Sequence, residues 1–442
     1  MTPLDPEERL RFAYSNPQAE QAIRDAHDPA TLSQALAQLN DLIPGFMQPP
    51  IYGRRLHSFG LDAAVPLIAE RLNLQDVPLH KSNDNVVVLA TRFYRTGGHT
   101  QVADDVMRAF GAERTTLIYT DIFGEFRYPA RVTDRGATRH PCRAWMILSA
   151  PSLTEKIVEL YMLLAAIKPT RIVLLGNHMD MVAVAGAWPF RSVVDFIHHA
   201  DYQPSLGATL PFSAHVDLTL TCHLACREAG LDPIYASMKA VAPEAAPSPP
   251  VAVGRSGPLI ATCGHLHKYR KPGRHGWTDF AVAALQVPGA RMIHIGPTDE
   301  AFREEVHGAL RRAGLDPGRY EFGGVAPLWS ELAARDVDLY LSSYPEPGSR
   351  ANLEAMMAGL PCISAVTPEN GLLIVERFPL PQFLPIRDPT ELAPLIARAA
   401  ELKAAARSPE ALRAIEVEVS RFDDYLAGRP LAPVPAERLP RD

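Results

Sequence analysis

A chain of 442 residues is too long for one ordinary hydrophobic core, so length alone predicts two domains with additions. Its 47% hydrophobic and 21% charged residues are those of a soluble globular protein, and a formal net charge of −6 excludes a general pull toward nucleic acid or anionic membrane. Five scattered cysteines argue against a disulfide framework, and MTPLDPEERLRF lacks the basic start and apolar run of a signal peptide, which predicts a cytoplasmic protein with no transmembrane segment.

Residues 1–80 read as a helical accessory region. Asp28-Pro29 offers a capping acceptor followed by proline at the first helical position. Leu32, Leu36, Leu39 and Leu42 then recur at helical spacing, one apolar stripe for packing or for docking a partner. Residues 81–240 read as a first α/β domain. VVVLATRFY is a continuous apolar strand of the kind buried in a parallel sheet; the glycine turn RTGGHTQ and the helix VADDVMRAF follow it. TTLIYT, AWMILSA, RIVLLGN and VVDFIHHAD are further strands, with the amphipathic helix EKIVELYMLLAAIKP between two of them. Residues 241–256, rich in Pro and Ala without periodicity, mark a linker. A second α/β domain, 257–390, repeats the alternation, with strands LIATCG, ARMIHIGP, YEFGGV, VDLYLSS and PCISAV. Strands alternating with helices predict parallel sheets with crossover connections. Residues 391–442 read as C-terminal helices and a proline-rich tail.

Three loops of the second domain are predicted to meet at the C-terminal edge of its sheet, where doubly wound folds bind ligands. CGHLHKYRKPG follows the first strand, and Lys268 there can neutralise a phosphate as a point charge. A solvated basic loop is the plain alternative. The turn at Gly296-Pro297 is the second loop. The third runs from YPEPGS into the helix RANLEAMMAG, which stops at Gly359-Leu360-Pro361. A loop feeding a helix N-terminus between buried strands is an anion site in the making. Ser349 and Arg350 stand beside it. Glu354, one turn in, is either a first-turn acid on the helix dipole or a carboxylate for paired ribose hydroxyls. Convergence of these groups on one edge points to a nucleotide diphosphate.

On these residues the chain resembles a glycosyltransferase of the GT-B type, which implies an α/β fold of two facing Rossmann-like doubly wound domains, here with an N-terminal helical extension. DLYLSSYPEPGSRANLEAMMAGLPCIS is similar to the family's donor segment, in which an acid, here Glu354, holds the ribose; CGHLHKYRKP is similar to the loop whose lysine, here Lys268, contacts the diphosphate. The likeness is greatest to O-GlcNAc transferase and the HMW1C-like protein glucosyltransferases, with the group-1 polysaccharide enzymes second. It implies transfer of a sugar from a nucleotide-diphosphate donor, a UDP-sugar, to a protein or glycan acceptor. The nucleotide-sugar is then a substrate and there is no cofactor. The donor-binding set becomes Gly264, Lys268, Gly296, Tyr344, Ser349, Arg350, Ala351, Asn352 and Glu354. The Arg350-Ala351 pair departs from the hydroxyl or imidazole side chains that protein-modifying relatives carry there, and no tetratricopeptide repeat is present.

The first domain is expected to hold the acceptor. His99 ends the turn after the first strand, and histidine titrates near working pH. It is either a general base or a residue that merely caps the helix through Thr100. FIHHADYQPSLG places His198, His199 and Asp201 at another strand end; on a strand the two histidines point to opposite faces, so one at most faces the site. The catalytic candidates are His99, His199 and Asp201, with His178 and Asp180 of GNHMD weaker ones. Cys222, His223 and Cys226 suggest zinc, but no fourth ligand follows at typical spacing and TCHLACREAG reads as a helix, so buried structural cysteines and no metal are expected. Asp336 and Asp338 imitate an acidic metal motif at the wrong strand edge. Alternatives are a group-1 polysaccharide or lipopolysaccharide glycosyltransferase, and a non-catalytic nucleotide-binding scaffold.

Overall fold

The computed structural model describes residues 17–46, 56–78, 84–92, 98–124, 140–199, 204–240, 256–270, 274–365 and 378–433. They fall into two compact units: residues up to Ala236 together with Asp423–Arg429, and Ser237–Phe422 together with the residues from Pro430.

The first unit opens with helices α1 (Pro17–Asp25), α2 (Pro29–Phe46) and α3 (Phe59–Arg71). Asp28 caps α2 as its sequence dictates, Oδ1 accepting from the amides of Ala30 and Thr31 at 2.8 and 2.9 Å. Then come β1 (Val86–Ala90), α4 (Gly98–Phe110), β2 (Thr115–Tyr119), β3 (Ala144–Ile147), α5 (Leu153–Ile167), β4 (Arg171–Leu175), α6 (Met181–Ala187), β5 (Val194–His198), β6 (Ala214–Asp217), α7 (Leu220–Glu228) and β7 (Ile234–Tyr235). The described strands form one sheet in the order β3-β2-β1-β4-β5-β6-β7. Every pairing is parallel, with Val86 of β1 facing Thr115 on one side and Arg171 on the other. Strand β1 is buried throughout, which its unbroken run of apolar residues requires.

The apolar stripe of α2 packs within this unit. Leu32, Leu36 and Leu39 are buried in one core with Leu61 and Ile68 of α3 and Ile157, Leu160 and Leu164 of α5. Burying aliphatic side chains at about 1.5–3 kcal/mol each makes these helices part of the domain's own core. Asp62 of α3 adds a polar clamp: its buried carboxylate accepts from the amides of Gly207 and Thr209 and from the Thr209 hydroxyl, at 2.7 to 2.9 Å.

The second unit runs β8 (Leu259–Cys263), α8 (Trp277–Leu285), β9 (Arg291–Ile295), α9 (Glu300–Arg312), β10 (Tyr320–Gly324), α10 (Leu328–Ala334), β11 (Leu339–Leu341), α11 (Ser349–Met357), β12 (Cys362–Ala365), β13 (Phe383–Ile386), α12 (Leu392–Ala397), α13 (Ala399–Ala406) and α14 (Pro409–Leu426). Its described strands pair in parallel in the order β10-β9-β8-β11-β12-β13. Trp277, Phe280, Phe302 and Tyr320 fill the core packed against them. In both sheets the first strand is flanked by the second on one side and a later strand on the other. The order in which strands are added thus switches sides between β1 and β4, and again between β8 and β11, and the crevice outside such a switch point is where doubly wound sheets bind ligands.

Strands β6, β7 and β13 and the break between α12 and α13 depart from the sequence reading. β6, AHVD, carries polar side chains inward. β13, FLPI, contains a proline, which an edge strand tolerates. Asp336 and Asp338 both accept from Lys403 Nζ, at 2.8 and 3.0 Å, so the acidic pair is an ion-pair anchor for α13. None of the five cysteines forms a disulfide, and among the described residues no helix is long and apolar enough to cross a membrane.

Candidate functional site

In the second unit the loop after β8 and the loop after β11 are stitched together at the switch point. Lys268 Nζ donates to the Pro347 carbonyl at 2.9 Å and lies 3.6 Å from Glu346 Oε1. The Glu346 amide donates back to the Lys268 carbonyl at 3.3 Å, and the Ser343 hydroxyl donates to the Glu346 carbonyl at 2.7 Å. The loop then enters α11 through Gly348, which supplies no side-chain cap, so the first amides of the helix point toward the lysine's end of the loop. A Cβ at Gly348 would come within 3.8 Å of Lys268 Nζ. A cation and a helix N-terminus on one small patch form an anion-binding arrangement.

Gly264 and Gly296 bring the ends of β8 and β9 together. Gly296 has φ of +150°, and a Cβ there would sit 2.3 Å from the Gly264 carbonyl oxygen, a clash with backbone that only glycine avoids. Ser349 opens α11 and is buried, with Ala351 beside it and Asn352 buried beneath. Arg350 Nε donates to Glu354 Oε1 at 3.1 Å, so the residues assigned to phosphate and ribose hold each other one turn apart. The Cys263 thiol is pushed up to about 12 by burial and by the Glu354 charge, with Lys268 opposing, which sets all three groups in one neighbourhood. Tyr344 belongs to the core beneath the loop: it is buried, its ring centroid 4.4 Å from that of Phe280. Sequence reasoning missed Glu346, an almost buried acid that also lies 3.7 Å from His267 Nε2. The signal was its place in YPEPGS, opposite Lys268.

In the first unit three histidines gather at the C-terminal edge of the sheet, beyond β1, β4 and β5. His99, in the first turn of α4, donates from Nε2 to the carbonyl of Leu175, the last residue of β4, at 2.8 Å. A neutral ring held this way keeps its lone pair on Nδ1. His199 follows β5 and stacks on His99, centroids 4.7 Å apart at 30°. Burial lowers the pKa of His99 well below its ordinary value, helped by His199, Arg92 and His178. Burial likewise takes His199 to about 4 and His178 to about 3. All three rings are neutral at physiological pH. Asp201 lies outside the described residues. His198 turns away from His199, as strand alternation requires, and is buried against Asp217. Asp180 is the N-cap of α6, accepting from the Ala183 amide at 2.8 Å and from the hydroxyls of Thr91 and Thr120, so it ties three strand ends together.

No protein-family model and no curated protein matches the sequence. Among solved structures, an O-GlcNAc transferase variant from Thermobaculum terrenum superposes with TM-score 0.55 at 17% identity, over 96% of this chain and 81% of that one. HepE of Anabaena, solved with UDP and glucose, gives 0.54 at 15% identity over 78% of this chain and 98% of its own. The lipopolysaccharide outer core galactosyltransferase WaaB gives 0.52 at 12% identity, again over 78% and 98%. At these identities the likeness is one of architecture. The chain has the GT-B fold of those glycosyltransferase structures: two parallel Rossmann-like sheets with flanking helices, extended at the N-terminal side by helices that join the first core.

Proposed function

We propose that the chain is a glycosyltransferase, a hexosyltransferase that moves a sugar from a nucleotide-diphosphate donor, a UDP-sugar, to a hydroxyl or amide of a protein or glycan acceptor. The observation that carries this reading is the meeting of Lys268 with the N-terminus of α11 at the β8/β11 switch point, with Glu354 one turn away. HepE, which shares the fold, has been solved with UDP.

In the reaction the bond from the sugar's anomeric carbon to the diphosphate breaks and a bond to the acceptor atom forms. Charge grows on the departing phosphate oxygen. Lys268 and the α11 amides stabilise it, a fixed arrangement that needs no reorganisation during the step. The leaving-group charge is thus carried by protein groups, without a metal. Glu354 accepts from the ribose hydroxyls, and Arg350 turns from Glu354 toward the phosphates. Gly264 and Gly296 let backbone approach the nucleotide, and Ser349 supplies a hydroxyl at the helix start. The first unit takes the acceptor. A neutral His99 accepts the acceptor's proton if the transfer inverts; if it retains, the departing phosphate takes that proton and His99 positions the sugar. His199, stacked on His99, orients it.

Calorimetric titration with UDP, GDP and dTDP tests the donor half. Binding of UDP that Glu354→Ala weakens by roughly tenfold or more supports the assignment. Equal affinity in the variant, with its thermal melt unchanged, overturns it.

A further inference from the structure

Behind the histidine edge of the first unit lies a second cluster that the proposed reaction does not use. β5 and β6 pair so that His198 faces Asp217 and Phe196 faces His215. His215 and Asp217, two residues apart, share one face of β6, and His198 ends β5 on the same side. Cys226 comes down from α7, the helix that follows β6. One atom from each residue points at a common centre. Asp217 Oδ1 lies 3.0 Å from His198 Nδ1 and 3.1 Å from His215 Nε2. The two ring nitrogens are 3.4 Å apart. Cys226 Sγ lies 3.4 Å from His198 Nδ1 and 3.5 Å from both His215 Nε2 and Asp217 Oδ1.

We propose that His198, His215, Asp217 and Cys226 form a tetrahedral zinc site that pins β5, β6 and α7 together. Six edges of 3.0 to 3.5 Å are those of a tetrahedron. Zinc bonded to nitrogen and oxygen near 2.0 Å and to sulfur near 2.3 Å sets edges of about 3.3 to 3.6 Å. Loading would open the cluster by a few tenths of an ångström at most.

Hydrogen bonding does not account for the arrangement as well. His215 Nδ1 lies 2.8 Å from the Ala208 carbonyl, so that nitrogen carries the proton and donates it. In a neutral ring that donation leaves the lone pair of Nε2 facing the Asp217 oxygen at 3.1 Å, an acceptor against an acceptor, a contact that otherwise requires an imidazolium buried beside the carboxylate. A cation between them converts that repulsion into two bonds. A backbone carbonyl on the far nitrogen is also what fixes a metal-binding imidazole in its ligating tautomer. The other carboxylate oxygen, Asp217 Oδ2, is buried without a hydrogen-bond partner among the described residues, with His223 Nδ1 3.8 Å from it.

Charge and setting agree. Two neutral imidazoles, a carboxylate and a thiolate carry two negative charges, which a divalent ion cancels; the neutral unit is then cheap to bury. His198, Asp217 and Cys226 are fully buried and His215 is nearly so. Four protein ligands in a closed, buried tetrahedron describe a structural ion, and a thiolate with imidazoles selects zinc over magnesium or calcium. Loading releases the Cys226 thiol proton to solvent. His57 Nε2, 3.2 Å from Cys226 Sγ, stands outside the tetrahedron, placed to donate to the thiolate once the ion is bound. The Cys222-His223-Cys226 spacing that suggested zinc in the sequence shares only Cys226 with this set; the other ligands come from the strands.

The test is metal content and spectrum of the full chain. Purified without chelator, it should carry about one zinc per chain by mass spectrometry of the metal. Stripped and reloaded with cobalt(II), it should show the visible bands of tetrahedral cobalt and a thiolate charge-transfer band. Cys226→Ser should abolish that band and lower bound metal by roughly tenfold or more, while Cys222→Ser keeps both. Zinc added to the stripped protein should raise its melting temperature. The proposal is overturned if the stripped wild-type chain gives no tetrahedral cobalt spectrum and no zinc-dependent rise, or if Cys226→Ser keeps the charge-transfer band. The wild-type spectrum decides the matter even if a variant does not fold.

Discussion

Arg350 and Glu354 are the residues on which the proposed donor site turns. Their ion pair, one helical turn long and only partly exposed, holds both side chains in place before any ligand arrives. If Glu354 serves the ribose and Arg350 the phosphates, Arg350→Ala should weaken UDP by roughly tenfold and leave uridine nearly untouched. If Arg350 only props Glu354, both ligands weaken alike; calorimetry with the two ligands separates the cases. Glu354 was legible from its place one turn into a glycine-fed helix, but its pairing with Arg350 was not, because spacing alone says nothing of what a side chain does when no ligand is present. His178 offers a separate test by pH. Its ring is buried neutral, with a pKa near 3 against 6.5 in the unfolded chain. Below pH 6.5 the unfolded ring takes a proton that the folded one refuses, so this residue's contribution to stability falls as pH drops toward 3, by up to about 1.4 kcal/mol per unit. Asp62 works the other way: burial raises its pKa to about 6 from 3.8, so it stabilises the fold as pH falls through that window. Thermal melts between pH 6.5 and 4 should therefore show a shallower loss of stability on acidification in His178→Gln than in the wild type; identical slopes contradict the buried neutral ring.

At the scale of elements, α1, α2 and α3 show how far pattern reading goes. The stripe of Leu32, Leu36 and Leu39 was plain in the sequence, but whether it packs at home or receives a partner depends on what lies opposite, and that is α5 and α3. Asp62 is the polar counterpart of this packing. Asp62→Ala leaves the amides of Gly207 and Thr209 buried without their acceptor, and should cost on the order of 3 kcal/mol, read as a lower denaturation midpoint with unchanged slope. A change under about 0.5 kcal/mol would mean that the clamp does not form. Long apolar strands such as β1 and β4 announced themselves. β6 did not, because His215 and Asp217 occupy its inward face and break the apolar run. The same polar residues that hid the strand compose the proposed zinc site.

For the whole molecule, two parallel sheets with the same strand logic were readable from alternation alone, since parallel strands need crossover helices. What alternation does not carry is identity of the ligand. The proposed ligand rests instead on which residues stand at the two strand edges: Lys268, Ser349 and Glu354 in one unit, His99, His178 and His199 in the other. If these edges serve sugar transfer as proposed, the full chain releases nucleoside diphosphate from one of a panel of UDP-, GDP- and dTDP-sugars. Release is expected from a UDP-sugar, reduced by roughly a hundredfold in Lys268→Ala, where about 2.7 kcal/mol of leaving-group stabilisation is lost, without a matching loss of thermal stability. A folded protein that releases no diphosphate from any donor, or a Lys268→Ala variant that works at the wild-type rate, would contradict it.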